Sequence, residues 1–393
     1  MTEPPRTKTR ALYGWLRTIV VVAIALLASE TFLVLGVVKP LRIEGSSMAP
    51  TLLGPHVEVV CPHCEHRFAV AADQVPRFRP YVCPDCRQKF NATPTEVTLG
   101  ERMWVNRAQL AISDVERWDV VVFRCPDRVE SLCIKRVLGL PGEHVDFSSG
   151  DLLIDGNVHR KSLDEQMRLR QSVHCERQKL LAWKADDERW QFAGNAWRHS
   201  GDESRLVYQP AGGTVTDDLG VNQTASRPIY AALDLMVTTK AKLAPRASVR
   251  LIAELANGRV IEQSIDRVGE SQIVWSLFDR QALLAVDGQV VWLEELPTAW
   301  PDQPRLSVVA TGDVQLGELS VWRDAYYHTR PVDRWPAAGV TLAADELFVV
   351  GDNVAISEDS RTWPSHALPK ELLIGVPMGI SRESRLDSPA ASE

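Results

Sequence analysis

The chain has 393 residues, 45% of them hydrophobic and 24% charged, with a formal net charge of −7 at pH 7. That length exceeds what one ordinary core takes up, and the composition is that of a folded protein rather than a low-complexity one. An acidic balance with no long basic stripe excludes nucleic acid as the main partner.

In chain order, the first feature is TIVVVAIALLASETFLVLGVV at 18–38, a run of 21 residues in which Glu30 is the only charge. As a helix it would measure about 31 Å, close to the thickness of the hydrocarbon core of a bilayer. A cleaved leader would have an apolar region of about 7–15 residues ending in a small-x-small site, and no Ala-x-Ala follows before Lys39. The expectation is a retained, single-pass transmembrane anchor. Arg6, Lys8, Arg10 and Arg17 precede it, which puts 1–17 in the cytoplasm and everything after the anchor outside the cell membrane. Glu30 is given no role.

Residues 39–56 lead into a small-residue turn. Residues 57–96 carry two CxxC pairs, Cys61/Cys64 and Cys83/Cys86, separated by 18 residues. That is the spacing of a four-cysteine zinc ribbon, and a structural zinc is the favoured reading over two disulfides. Four thiolates leave no open coordination position, so the module is expected to be structural. From 97 to 163, short β-branched runs (ERMWVNR, WDVVVFRC, CIKRVLGL) are broken by Pro-Asp, Pro-Gly and Ser-Gly turns, the pattern of an antiparallel β-rich domain.

Residues 164–335 form a second insertion. Its first part, 164–190, has a helix-compatible composition. The rest alternates like strands, with an Asp-Gly hairpin signal at Asp287–Gly288 and eight of the twelve tryptophans between Trp183 and Trp335. A β-sandwich is expected, with a weak similarity to concanavalin-like domains and no ligand indicated. Strands resume over 336–381, and 382–393 reads as a disordered tail.

Three stretches carry candidate chemistry. Gly45-Ser46-Ser47-Met48-Ala49-Pro50 is a turn that could expose a serine hydroxyl and aim a backbone N–H at an oxyanion. Cys133-Ile134-Lys135-Arg136-Val137 places a lysine in an apolar strand; if Lys135 points into the core, burial lowers its pKa and lets it act as a base. Gly351-Asp352-Asn353 through Ser357-Glu358-Asp359-Ser360-Arg361 is a polar turn that could equally be an acidic loop or Asp–Arg pairs holding a bend.

Taken together, in this order and behind an N-terminal apolar segment, these stretches resemble the boxes of the type I signal peptidases, over roughly 10–56, 98–160 and 340–381. The resemblance implies a membrane-bound serine endopeptidase that removes signal peptides from exported preproteins after a small-x-small site. It implies Ser47 as nucleophile, neutral Lys135 as general base, and Ser357 as the hydroxyl that orients the lysine. Asp352, Asp359, Arg361 and Arg136 match residues that hold the site's shape, and Ile43, Met48, Leu52 and Ile134 match the lining of the small S1 and S3 pockets. Where some members have a second oxyanion serine, this chain has Gly45. The resemblance also implies no cofactor for catalysis, preproteins and the lipid bilayer as partners, and a monomer. The competing reading is a catalytically silent, membrane-anchored binding protein built on the ribbon and the sandwich.

Overall fold

A computed structural model describes residues 6–29, 37–93, 96–109, 113–176, 179–297, 299–330, 333 and 335–379. The chain is mainly β, and every recorded strand pairing is antiparallel.

A seven-stranded sheet runs in the order Val38–Arg42, Arg102–Asn106, Leu373–Met378, Val120–Cys125, Arg128–Gly139, Glu346–Val350 and Leu368–Pro369. Its centre is apolar on both faces. Val120 and Val122 pack with Met48 and Val105, whereas Val121 and Phe123 pack with Val349 and Trp363. The unbroken run VVVF is therefore a strand covered on both sides, not an alternating one. Cys125 and Cys133 form a disulfide across the hairpin of the two central strands. A four-stranded sheet of Asn157–Val158, Asp151–Ile154, His144–Ser148 and Val340–Thr341 flanks this body.

The expected anchor is not supported by the described residues. The N-terminal helix is recorded over Arg6–Ser29, so it begins in the basic segment ahead of the apolar run. Among the described residues no helix is long and apolar enough to cross a membrane; residues 30–36 of the expected span lie outside the described residues. Within this helix Tyr13, Trp15, Leu16, Ile19 to Val22, Ile24, Leu26 and Leu27 are all exposed.

The helix-compatible stretch also needs correction. A helix covers only Leu163–Leu169, started by a capping box in which the Ser162 side chain accepts from the Glu165 N–H and the Glu165 side chain accepts from the Ser162 N–H. The chain then turns extended at Arg170, and Gln171–Cys175 pairs with Val314–Arg323. Pairing with a central strand overrides a helix-compatible composition.

Between Gln171 and Arg323, eight-stranded and five-stranded sheets enclose one core. Trp183, Leu206, Leu251 and Val308 fill it from the smaller sheet, and Val237, Trp275, Leu284 and Val321 from the larger. The module at 57–96 consists of two small hairpins, His56–Val60 with Arg67–Ala71 and Tyr81–Val82 with Lys89–Phe90. Reciprocal bonds between the His56 and Thr98 backbones close its neck. The expected tail at 382–393 lies outside the described residues.

Candidate active site

The turn at 45–52 follows the edge strand Val38–Arg42 and is drawn down by its apolar residues. Ile43, Met48 and Leu52 are buried with Met103, Val105, Val120 and Val122, and Ile134 packs against the same cluster. All four expected pocket residues thus share one apolar patch. Burying Met48 and Leu52 fixes the turn between them and leaves Ser47 half-buried at its edge.

Lys135 projects from the central strand to meet this turn. Its Nζ lies 2.7 Å from Ser47 Oγ, and the side chain is 4% exposed. Burial brings the ammonium down to about 8, opposed by the Asp359 and Asp352 carboxylates and assisted by the Arg361 charge. Burial wins because each carboxylate is engaged elsewhere. Arg136 grips Asp352 bidentately through Nε and Nη2 at 2.7 and 2.6 Å, and its Nη1 donates to the Trp118 carbonyl. The Thr51 hydroxyl also donates to Asp352, tying the nucleophile turn to the same pair.

Arg361, fully buried, grips Asp359 through Nε and Nη2, both at 2.9 Å, and donates to the His328 and Val354 carbonyls. Burial pushes the Asp359 carboxyl up, but Arg361 more than offsets it and holds the group below the usual carboxylate range. Fork-to-fork pairs of this kind fix orientation as well as charge.

Ser357 is fully buried beside Asp359, and its Oγ makes no hydrogen bond to Lys135. It faces Gly351, where a Cβ would come within 2.4 Å of Ser357 Oγ and 2.4 Å of the Ser47 carbonyl. Only glycine lets the two loops approach that closely. At Gly45 a Cβ would meet nothing within 4 Å, and among the described residues no acceptor takes the Ser47 N–H, which leaves it open to an oxyanion.

Two site residues went unassigned in the sequence. Asn353 donates through its backbone to the Ser47 carbonyl at 3.0 Å and through Nδ2 to the Ser46 carbonyl at 3.1 Å. Its position beside Asp352 is a signal that could have found it. Thr51 sits inside the nucleophile stretch and was equally within reach.

The four module cysteines are buried and not disulfide-bonded, with all four sulfurs within 4.8 Å of one another. Cys61 Sγ lies 3.6 Å from Cys86 Sγ, and Cys64 Sγ 3.6 Å from Cys83 Sγ. A disulfide needs about 2.0 Å, whereas sulfurs about 2.3 Å from a tetrahedral zinc sit a little under 4 Å apart. The two turns are near copies: Glu65 N–H donates to the Cys61 carbonyl and Arg87 N–H to the Cys83 carbonyl, each residue with φ of 60°. The donor set fits a structural zinc held by Cys61, Cys64, Cys83 and Cys86.

Comparison with known proteins bears on the site. The family described as "Signal peptidase, peptidase S26" matches residues 80–219, a segment that holds Lys135 and Arg136 but neither Ser47 nor the 351–363 loop. The curated protein Signal peptidase I V of Bacillus subtilis (strain 168) is 35% identical over 57 residues, 14% of this chain and 33% of its own length. Over these segments the chain is similar to the type I signal peptidases. It spans about a third of the length of the curated relative it matches.

Among solved structures, the potassium-bound carbohydrate recognition domain of Emp46p covers 36% of this chain and 88% of itself at 8% identity and a TM-score of 0.25. The carbohydrate-binding module CBM66 from Bacillus subtilis covers 36% of this chain and 94% of itself at 10% identity and a TM-score of 0.24. Superpositions this loose carry no argument about the sandwich.

Proposed function

We propose that this protein is a serine endopeptidase that removes signal peptides from exported preproteins after small-x-small sites, with Ser47 as nucleophile and Lys135 as general base. The observation that carries the reading is the 2.7 Å contact between Lys135 Nζ and Ser47 Oγ in a setting that brings the amine to about 8. Neutral Lys135 takes the hydroxyl proton as Ser47 Oγ attacks the scissile carbonyl, and the Ser47 N–H receives the oxyanion. The resulting ammonium returns the proton to the leaving amine, which departs and leaves an acyl-enzyme. Water then attacks the ester, again deprotonated by Lys135, and frees Ser47. The patch of Ile43, Met48, Leu52 and Ile134 supplies the apolar wall for small side chains. Arg136, Asp352, Asp359 and Arg361 hold the loops in register, and Ser357 completes the wall behind Gly351.

A location at the cell membrane is supported by the N-terminal helix, whose uncovered apolar side chains would be a liability in water. The basic residues ahead of it favour a cytoplasmic N-terminus. The Cys125–Cys133 disulfide fits a catalytic domain in the oxidising space beyond the membrane. A single chain contains every group the reaction uses. The deciding experiment is cleavage of a purified preprotein in detergent by parent and by Ser47→Ala. Release of the mature protein by the parent alone supports the reading; equal release by both overturns it.

A further inference from the structure

Asn353 touches the nucleophile turn at a consequential point. The Ser46 carbonyl it holds belongs to the same planar peptide unit as the Ser47 N–H. Fixing that carbonyl therefore fixes the direction of the oxyanion donor, and a hydrogen bond to the carbonyl strengthens the N–H at the other end of the unit.

A side-chain amide can rotate or flip, so something must set Asn353. Asn222 does so: its Nδ2 donates to Asn353 Oδ1 at 2.7 Å, and Asn353 Nδ2 donates to Asn222 Oδ1 at 2.9 Å. With one N–H on Ser46 and the other on Asn222, the Asn353 amide is saturated in a single orientation. Asn353 is fully buried and Asn222 is 6% exposed, so water does not replace either partner.

Asn222 lies far from the sequence stretches around Ser47, Lys135 and Asp352, between the sandwich strands Ser204–Tyr208 and Leu235–Leu243. Its own loop is tied down. The Asn222 N–H donates to the Leu219 carbonyl, and the neighbouring Val221 carbonyl accepts from Ala71 N–H. Gln223 pairs with both backbone groups of Val82.

We propose that Asn222, contributed by the second insertion, is a positioning residue for the oxyanion-binding peptide of the nucleophile turn, acting through Asn353. The inference rests on the reading of Ser47 as nucleophile. It assigns the insertion a part in the reaction geometry besides whatever surface it presents.

The test is preprotein cleavage by the full chain carrying Asn222→Ala, Asn222→Asp, Asn353→Ala, the Asn222→Ala/Asn353→Ala double, and Gln223→Ala. Asn222→Ala should lower kcat about 10- to 100-fold while KM stays within about twofold, because the loss falls on transition-state geometry. Asn222→Asp, which keeps an acceptor for Asn353 but loses the donor, should fall between. The double variant should be no worse than the poorer single, since the two act in one chain of contacts. Gln223→Ala, which loosens the Asn222 loop at Val82 but leaves the Asn222–Asn353 pair intact, should lower kcat less than Asn222→Ala. The apparent pKa of the rate should stay at the parent value in all of them, because Lys135 keeps its surroundings.

A parent-like kcat in Asn222→Ala overturns the proposal, and so do independent, multiplying losses in the double. If Asn222→Ala does not fold, a parent-like kcat in Asn222→Asp overturns it equally. Ser47→Ala measured alongside separates the two failures: cleavage by that variant sinks the nucleophile assignment itself, whereas a dead Ser47→Ala beside unaffected Asn222 variants sinks only the role of Asn222.

Discussion

Lys135 and Lys161 are both buried lysines, at 4% and 3% exposure, and their surroundings send them in opposite directions. Lys161 sits where the first body meets the sandwich. Its Nζ is salt-bridged to Asp279 and, at 2.8 Å, to Asp324. Burial alone would lower it, but the two carboxylates override that and hold it well above the ordinary lysine value. Lys135 also has two carboxylates nearby, Asp352 and Asp359, yet each is clamped by an arginine, and the contact left to the amine is the Ser47 hydroxyl. Burial therefore decides the charge of a lysine only where nearby acids are already spoken for. The Arg136–Asp352 and Arg361–Asp359 pairs have this second effect besides shaping the loops: they weaken the pull of the two carboxylates toward the charged ammonium, so burial can leave the amine neutral.

The largest effect that sharpens this contrast is on activity. Lys135→Met and Ser47→Ala should each lower kcat by about 10⁴-fold or more, with the double no worse, because nucleophile and base act as a unit. Lys135→Arg should be equally inactive, since a guanidinium stays charged and cannot take the proton. Lys161→Met should leave kcat per folded molecule close to the parent. A preprotein cleavage series with these variants checks the set, and cleavage by Lys135→Arg would break the base assignment.

The stability effects should run the other way. Lys161→Met strands Asp279 and Asp324 without their cation, and breaking a buried pair from one side costs about 3–5 kcal/mol. Lys135→Met removes an amine that the fold disfavours in its charged form, so at pH 7 it should be no less stable than the parent. The sign follows from linkage. With a native value of about 8 against 10.5 for the ordinary group, the unfolded chain binds the extra proton between those limits. Stability should rise with pH across that window, by on the order of 3 kcal/mol from this group, and the full penalty applies below pH 8. Urea midpoints from pH 7 to 10.5 should climb in the parent and climb less in Lys135→Met. The rate should also rise through an apparent pKa near 8 and then level; a rate still climbing at pH 10 would mean that the amine is not desolvated.

What could be read in the sequence was what is local in it. Ser47, the Lys135 strand and the 351–361 loop each announce themselves within a dozen residues, and the CxxC spacing does the same for the module. Contacts across long separations were not legible. Nothing near Asn222 signals that it meets Asn353, and nothing in QSVHC signals a strand beside Val314–Arg323 rather than a continued helix. The Cys125–Cys133 bond joins residues flanking a Pro-Asp turn, a pattern that hints at a hairpin but leaves the pairing open. At 18–38, hydropathy marks the apolar run but not the start of the helix, whose recorded bounds begin twelve residues earlier, at Arg6.

The smallest expected effect concerns the cysteine module. It leans on the loop that holds Asn222, through Ala71 to Val221 and through Val82 to Gln223, so its collapse should loosen the nucleophile turn without touching Lys135. Cys61→Ser with Cys64→Ser should therefore abolish metal binding and lower stability, while reducing kcat only a fewfold. The apparent pKa of the rate should stay in place. Protein purified without reductant should carry about one zinc, with the four module thiols masked until a chelator frees them. The zinc is expected to supply the module's folding energy, because Val57, Val59, Phe68, Val70, Tyr81 and Phe90 make a very small core around the sulfurs. Thiols freed only by reductant, beyond the Cys125–Cys133 pair, would mean disulfides and end the ribbon reading. A kcat loss as deep as that of Ser47→Ala would mean that the module does more than support the turn, since its contacts reach Ser47 only indirectly, through Ala71 packed on Ala49 and through Asn222 and Asn353.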